Sequence, residues 1–286
     1  MFSSICSGTI YGLQSHLIQV EVDVSRGLPC LVMVGSLGSE VRESQERVKV
    51  ALKNSGMDIP PSHISVNLSP ADIHKAGTGF DLAIALGILT ATESMDAEAL
   101  SDVFVIGELG LSGEVKGVKG ALPLVWEAFR QGKGKCLVPR DNYSEAAVVE
   151  GIRVAGVGSV REACDYLKLT EEEQIKMERE QRRQEAEAQK EWKKRNLLQE
   201  EKTLDFAEVH GQENLKRGAL IAAAGFHHML IVGPPGAGKT MIAKRIPSIL
   251  PELSFEESME VTSIYSIAGR LPKGQNLIKK RPFLNP

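Results

Sequence analysis

The chain is poor in paired cysteines, in aromatic residues and in long apolar runs, and each shortage excludes something. Cys6, Cys30, Cys136 and Cys164 stand far apart with no CxxC pair. That spacing disfavours a zinc site and a disulfide framework alike and predicts four buried thiols. No stretch approaches the roughly 18 apolar residues that a membrane span needs. The opening MFSSICSGTI lacks the basic start and apolar run of a secretory leader, so a cytoplasmic protein is the expectation. Neither sign of charge dominates: 34 Lys and Arg face 37 Asp and Glu, a net charge of −3. The chain as a whole therefore has no attraction to nucleic acid or anionic lipid, and any such contact must come from a local patch. With 42% hydrophobic, 25% charged and only 5% aromatic residues, the composition is that of a soluble globular protein. Its 286 residues leave room for two domains of ordinary size.

From Ile5 to Leu167 short β-type runs alternate with helical ones, the pattern of an α/β fold. Leu17 to Val24 alternates apolar and polar residues as a half-buried strand does, and LVMVG, ISVNL, VFVIG and CLVP are short apolar runs bounded by Gly, Pro or Ser. Helices are predicted over Val41–Asn54, Leu82–Ala91, Leu122–Gln131, Ser144–Glu150 and Val160–Leu167, with Leu82–Ala91 so apolar that it must be buried. Residues 171–202 interleave acids and bases, and Glu172 with Lys176, Glu178 with Arg182 and Glu191 with Arg195 have the i to i+4 order of a solvated helix. The predicted organisation is a first domain over 1–168, a charged helical linker over 169–203 and a second domain from 204 to 286. In that last domain a helix over Glu213–Ala224 is ended by Gly225. A buried strand over Met229–Val232 then leads into a loop, followed by a helix from Lys239 to about Arg245.

That loop is GPPGAGKT, residues Gly233, Pro234, Pro235, Gly236, Ala237, Gly238, Lys239 and Thr240. It fits G-x-x-x-x-G-K-[ST], the loop whose backbone N–H groups cradle nucleotide phosphates at a helix N-terminus. Glycines at 236 and 238 would let backbone approach the ligand. Lys239 would reach the β- and γ-phosphates of ATP as a point charge, and the Thr240 hydroxyl would ligate Mg²⁺. Hydrolysis asks for more, namely an acidic pair at a strand end and an arginine for the transition-state charge. No aspartate follows Thr240, and Glu252, Glu256, Glu257 and Glu260 lie in a polar stretch that reads as a solvated helix. No catalytic residue is assigned. His210 and His227, alone in loops around the helix before the phosphate loop, read as surface or packing residues.

The residues also resemble a known family. GQENLKRGALIAAAGFHHMLIVGPPGAGKTMIAKRIPSILP, then TSIYSIAG and KRPF, are similar to the start of the AAA+ module of magnesium-chelatase-like ATPases of the YifB/ComM type. GLPCLVMVGSLGSEVRESQERVKVALKNSG, VNLSPADIHKAGTGFDLAIALGIL and GELGLSGEVKGVKGAL resemble that family's Lon-protease-like N-terminal domain. The resemblance implies an ATP- and Mg²⁺-using protein that assembles as a hexameric ring and acts on DNA, with branch migration in recombination or competence as the family role. It also implies that the AAA+ module is incomplete here, because the acidic magnesium site, sensor and arginine-finger segments would follow KRPF, where this chain reads LNP. The expected fragment is deficient in hydrolysis. By the same likeness Gly79 falls where a Lon peptidase has its serine and Leu122 where it has its lysine, so the Ser-Lys dyad is absent; Ser69 with Lys75 has the wrong spacing to replace it. Three other readings stay open at this point: a magnesium chelatase ATPase subunit, a non-enzymatic scaffold built on the first domain, and a peptidase.

Overall fold

The computed structural model describes residues 1–196, 204–271 and 276–284, with the side chains at 193, 195 and 196 left undescribed. They divide into two compact units, one of Met1–Ala188 with Thr262–Asn276 and one of Gln189–Val261 with Leu277–Pro286. Among the described residues no helix is long and apolar enough to cross a membrane.

The first unit is built on a seven-stranded mixed sheet. Strands β1 (Phe2–Tyr11) and β2 (Gln14–Ser25) form a hairpin closed at Gly12, whose φ of +63° suits glycine. With β3 (Cys30–Val34), β4 (His63–Ser69), β5 (Val103–Val105), β8 (Lys135–Pro139) and β9 (Arg153–Val157), they run in the order β3-β4-β2-β1-β5-β8-β9. The pairs β3·β4, β1·β5, β5·β8 and β8·β9 are parallel. A small hairpin of β6 (Glu108–Leu109) and β7 (Val115–Lys116) stands apart. The five predicted runs all become strands. β1 is a strand over its whole length, and β9 carries an Arg and a Gly that blur any alternation.

Helices cover both faces of the sheet. α1 (Ser39–Asn54), α2 (Asp81–Ala91) and α5 (Val160–Lys168) share one face, and α3 (Ala121–Arg130) and the short α4 (Tyr143–Ala146) lie on the other. α4 stops well short of the predicted Glu150. Every residue of α2 is buried, as its all-round apolar sequence requires. Gly87 lets it sit close: a Cβ there would meet Val22 at 2.7 Å, and Ser3 Oγ donates to the Gly87 carbonyl at 2.8 Å. On the opposite face Gly8 plays the same part for α3, with Leu124 2.8 Å from the place of a Cβ.

Cys6, Cys136 and Cys164 are buried as predicted, but Cys30 is exposed because it opens the edge strand β3. Burial raises all three inner thiols, Cys164 to about 11. Since the thiolate is the reactive form, a disulfide reagent at pH 8 should titrate one thiol rapidly and the other three only on unfolding; rapid modification of two or more would contradict this packing. The same burial has a pH signature. The stabilisation from protonated Cys164 is complete below the free-thiol value of 9.0 and is lost as pH rises through about 11.

The long helix α6 (Glu171–Asn196) bears out the helical reading of the charged segment over its described residues, 197–202 lying outside them, and corrects its solvation. Its first half is docked on the edge strand β9 through polar side chains. Glu178 accepts from Arg153 Nε and NH2, both at 2.9 Å, and from the Tyr166 hydroxyl at 2.5 Å. It pairs with Arg153, then, rather than with Arg182. The Glu191–Arg195 pair falls on a side chain outside the described residues. Gln174, buried, donates to the carbonyls of Tyr166 and Leu169. Gln181 takes the N–H of Gly156 on its amide oxygen at 3.0 Å and returns its own N–H to the Gly156 carbonyl at 2.8 Å. One side chain thus satisfies both backbone groups that an edge strand would otherwise leave open. Gln181→Ala should cost about 1–3 kcal/mol by urea unfolding, with Gln181→Glu also failing because it cannot donate; a loss under about 0.3 kcal/mol would mean water replaces the amide.

Candidate functional site

The second unit carries the glycine-rich loop. Its core is small: Phe206, Val209, Ala219 and Ile242, with Leu215, Met229, Ile246 and Ile249 packed around them. α7 (Glu213–Gly225) precedes the loop and α8 (Lys239–Ala243) follows it. The predicted stop at Gly225 is off by one: the left-handed cap is Phe226, φ +51°. The predicted strand over Met229–Val232 is not formed, and Leu230 and Val232 are 87% and 83% exposed. A four-residue run holds a strand conformation only with a neighbour to bond to, and no described residue of this unit is a strand.

The loop itself takes the shape its glycines permit. Gly236 and Gly238 are left-handed, φ +79° and +77°, a region closed to most side chains. Nothing lies within 4 Å of where a Cβ on Gly236 would stand. Gly233, Pro234, Pro235 and Gly236 face solvent, Ala237 and Gly238 are half-buried, and α8 begins at Lys239. Ile242 anchors that helix to the core, and its N–H donates to the Gly238 carbonyl at 3.0 Å. Farther on, Arg245 reaches Glu208 at 2.8 Å and Ser248 Oγ accepts the Phe206 N–H at 3.0 Å, tying the segment after α8 to the start of the unit.

Lys239 Nζ donates to the carbonyls of Gly233 and Pro234, both at 2.7 Å. The ammonium is folded over its own loop, bound to neutral acceptors that an incoming anion can outcompete. Thr240 is exposed in the first turn of α8. The open cradle and the Lys and Thr beside it fit a bound nucleotide phosphate with its metal ion. Acidic help is lacking: among the described residues no group of three or more His, Cys, Asp or Glu could hold a metal. α9 (Phe255–Ile267) carries Glu257 as a capping box with Ser254 (2.9 and 3.1 Å) and an ion pair with Arg281, and the Ser254 N–H holds its carboxyl below the usual range. Glu252, Glu256 and Glu260 are exposed. His210 and His227 are exposed as well.

In the first unit the residues at the Lon-type positions are not assembled for catalysis. The Gly79 carbonyl accepts the Gly107 N–H at 2.9 Å, and Leu122 is fully buried. Lys75 is buried and its ammonium is held by the Pro70 carbonyl, not by Ser69; desolvation lowers its pKa. What sequence reading missed lies next door. Asp81 is fully buried and accepts from Ser44, from Arg47 Nε at 2.8 Å and NH2 at 3.1 Å, and from the Leu109 N–H at 3.1 Å. An aspartate opening a helix whose next eight residues are all apolar was the available signal.

Comparison with known proteins matches residues 20–142 to the model "Subunit ChlI of Mg-chelatase" and residues 205–286 to "Magnesium chelatase, subunit ChlI". The chain is 37% identical over 275 residues to YifB of Escherichia coli K12, covering 96% of this chain and 51% of YifB. It is 34% identical over 282 residues to competence protein ComM of Haemophilus influenzae, covering 96% of this chain and 52% of ComM. The chain belongs to the magnesium-chelatase-like family of YifB and ComM. It spans about half the length of these relatives. A partial match, 30% identical over 182 residues, relates 57% of this chain to 22% of Lon protease 2 of Borreliella burgdorferi, in keeping with a Lon-like first unit.

Proposed function

We propose that residues 233–240 are the phosphate cradle of an ATP-binding AAA+ module and that the chain serves a ring-forming, DNA-handling machine of the YifB/ComM type. The observation that carries this reading is the left-handed pair Gly236 and Gly238 ahead of Lys239 at the start of α8. Backbone N–H groups of the loop would surround the phosphates, Lys239 would leave the Gly233 and Pro234 carbonyls for a phosphate oxygen, and Thr240 would offer its hydroxyl to Mg²⁺. ATP would supply a transferable phosphoryl group. Transfer itself asks for acids and an arginine, and among the described residues no group of three or more His, Cys, Asp or Glu could hold a metal, so binding without turnover is the proposed property of this chain. Likeness to a competence protein supports a role with DNA in recombination or uptake, in the cytoplasm, with a hexamer as the working assembly; the organisation into a domain over 1–168, a connecting segment over 169–203 and an ATPase portion over 204–286 belongs to the same proposal.

The test is a titration of the chain with a fluorescent ATP analogue, with and without Mg²⁺, beside a phosphate-release assay. Weak, magnesium-strengthened binding and no release are expected. Absence of any binding at millimolar analogue would remove the loop from consideration.

A further inference from the structure

The first unit holds a cleft far along the chain from the glycine-rich loop. Between α6, β9 and α4 is a half-open cleft of about 310 Å³ whose walls include Tyr143, Ala147, Ile152, Val154 and Ile175. Its charged lining is three arginines, Arg153, Arg179 and Arg182, against one carboxylate, Glu178. Glu178 is already committed to Arg153 and Tyr166. Arg179 and Arg182, one turn apart on α6, are exposed, and neither guanidinium has a hydrogen bond or ion pair among the described residues. Two positive charges are thus left facing an apolar cleft. Unpaired arginines on a surface are ordinary; a pair at the mouth of a cavity with an aliphatic wall is the composition of a small-molecule site, apolar with a few placed polar groups.

The surroundings limit the occupant. Glu150 lines the adjoining recess, which shares Ala147 and Arg182 with the cleft, and Glu185 acts on the Tyr143 phenol together with Arg182. The positive charge is therefore local, too confined for the run of phosphates a duplex presents. Two guanidinium forks suit a dianionic phosphate better than a carboxylate, and inorganic phosphate alone would leave the apolar wall unused. We propose that this cleft binds a phosphomonoester with a compact aromatic body, of the size of a nucleoside monophosphate, with Arg179 and Arg182 on the phosphate and Ile152, Val154 and Ile175 against the ring system.

This proposal stands apart from the phosphate loop, and its test is arranged to keep the two separate. The full chain carrying Lys239→Ala is titrated calorimetrically with AMP, phenyl phosphate and inorganic phosphate. AMP and phenyl phosphate should bind, inorganic phosphate at least ten-fold more weakly. Adding Arg179→Ala with Arg182→Ala should weaken AMP about 100-fold, and Ala147→Phe, which fills the cleft and leaves both charges, should abolish binding with an unchanged melting temperature. A trinucleotide with a 5′-phosphate that binds more tightly than AMP identifies strand ends as the source, and one that binds more weakly identifies the free nucleotide; both outcomes uphold the site. No AMP binding in the Lys239→Ala chain, binding indifferent to the arginine pair, or inorganic phosphate binding as tightly as AMP would each overturn it.

Discussion

Replacing Asp81 by alanine should cost the first unit about 3–5 kcal/mol, the penalty for stranding one partner of a buried ion pair, out of a total that for a domain is about 5–15 kcal/mol. The carboxylate is fully buried and meets four donors. Its removal leaves Arg47, only 20% exposed, with its charge half desolvated, and orphans the buried Leu109 N–H, so the β6 hairpin loses its tie to α2. Its bond to Asp81 is the foremost reason the Arg47 pKa is raised. At the first residue of α2 the negative charge also faces the helix N-terminus, where it is favourable. Urea unfolding followed by circular dichroism reads the loss as a lower midpoint at constant slope. Asp81→Asn, which keeps an acceptor for Leu109, should lose less. The decisive comparison is a double replacement: Arg47→Met with Asp81→Leu removes both charges and should recover the share of the loss that comes from the stranded guanidinium, leaving the share of the orphaned Leu109 N–H. If Asp81→Ala cost under about 1 kcal/mol, in the range of an exposed pair, the pair would have to be solvated after all.

The contrast between α2 and α6 shows what the sequence could disclose. α2 was readable because its buried residues from Leu82 to Leu89 make an uninterrupted apolar run, and hydrophobicity is the signal that sequence patterns carry best. α6 docks through Gln174, Glu178 and Gln181, which recur at helical spacing but are polar, so the face that contacts β9 looks like the face that contacts water. Its partner was obscure for a related reason: β9 is held at its outer edge by a side-chain amide, and nothing in RVAGV announces that. The backbone freedom needed at Gly236 and Gly238 was legible, since left-handed backbone there leaves a glycine few substitutes. Met229–Val232 was not, because a strand is a property of two segments and its sequence shows only one. Cys30 was misplaced on similar grounds: burial of a strand residue depends on its position in the sheet order, and β3 is an edge.

Lys239→Ala should weaken ATP by about ten- to 100-fold, and the size of the effect follows from where the ammonium rests. In the free loop its three donors are partly spent on the Gly233 and Pro234 carbonyls at 2.7 Å. Binding exchanges those neutral acceptors for phosphate oxygens. What the substitution removes is a charge-assisted hydrogen bond to the phosphate, about 1.5–3 kcal/mol at an accessible site, which gives the stated range at about 1.4 kcal/mol per factor of ten. The same substitution releases two loop carbonyls that water can solvate, since the loop is exposed, so the fold should be unaffected. Lys239→Arg separates charge from shape: a planar fork on a longer stem cannot occupy the same point, and it should restore less than a tenth of the lost affinity. Thr240→Ala should leave binding without Mg²⁺ unchanged and remove the increment that Mg²⁺ provides. A Lys239→Ala chain that held ATP as tightly as the parent, with its magnesium response intact, would place the nucleotide elsewhere on the molecule.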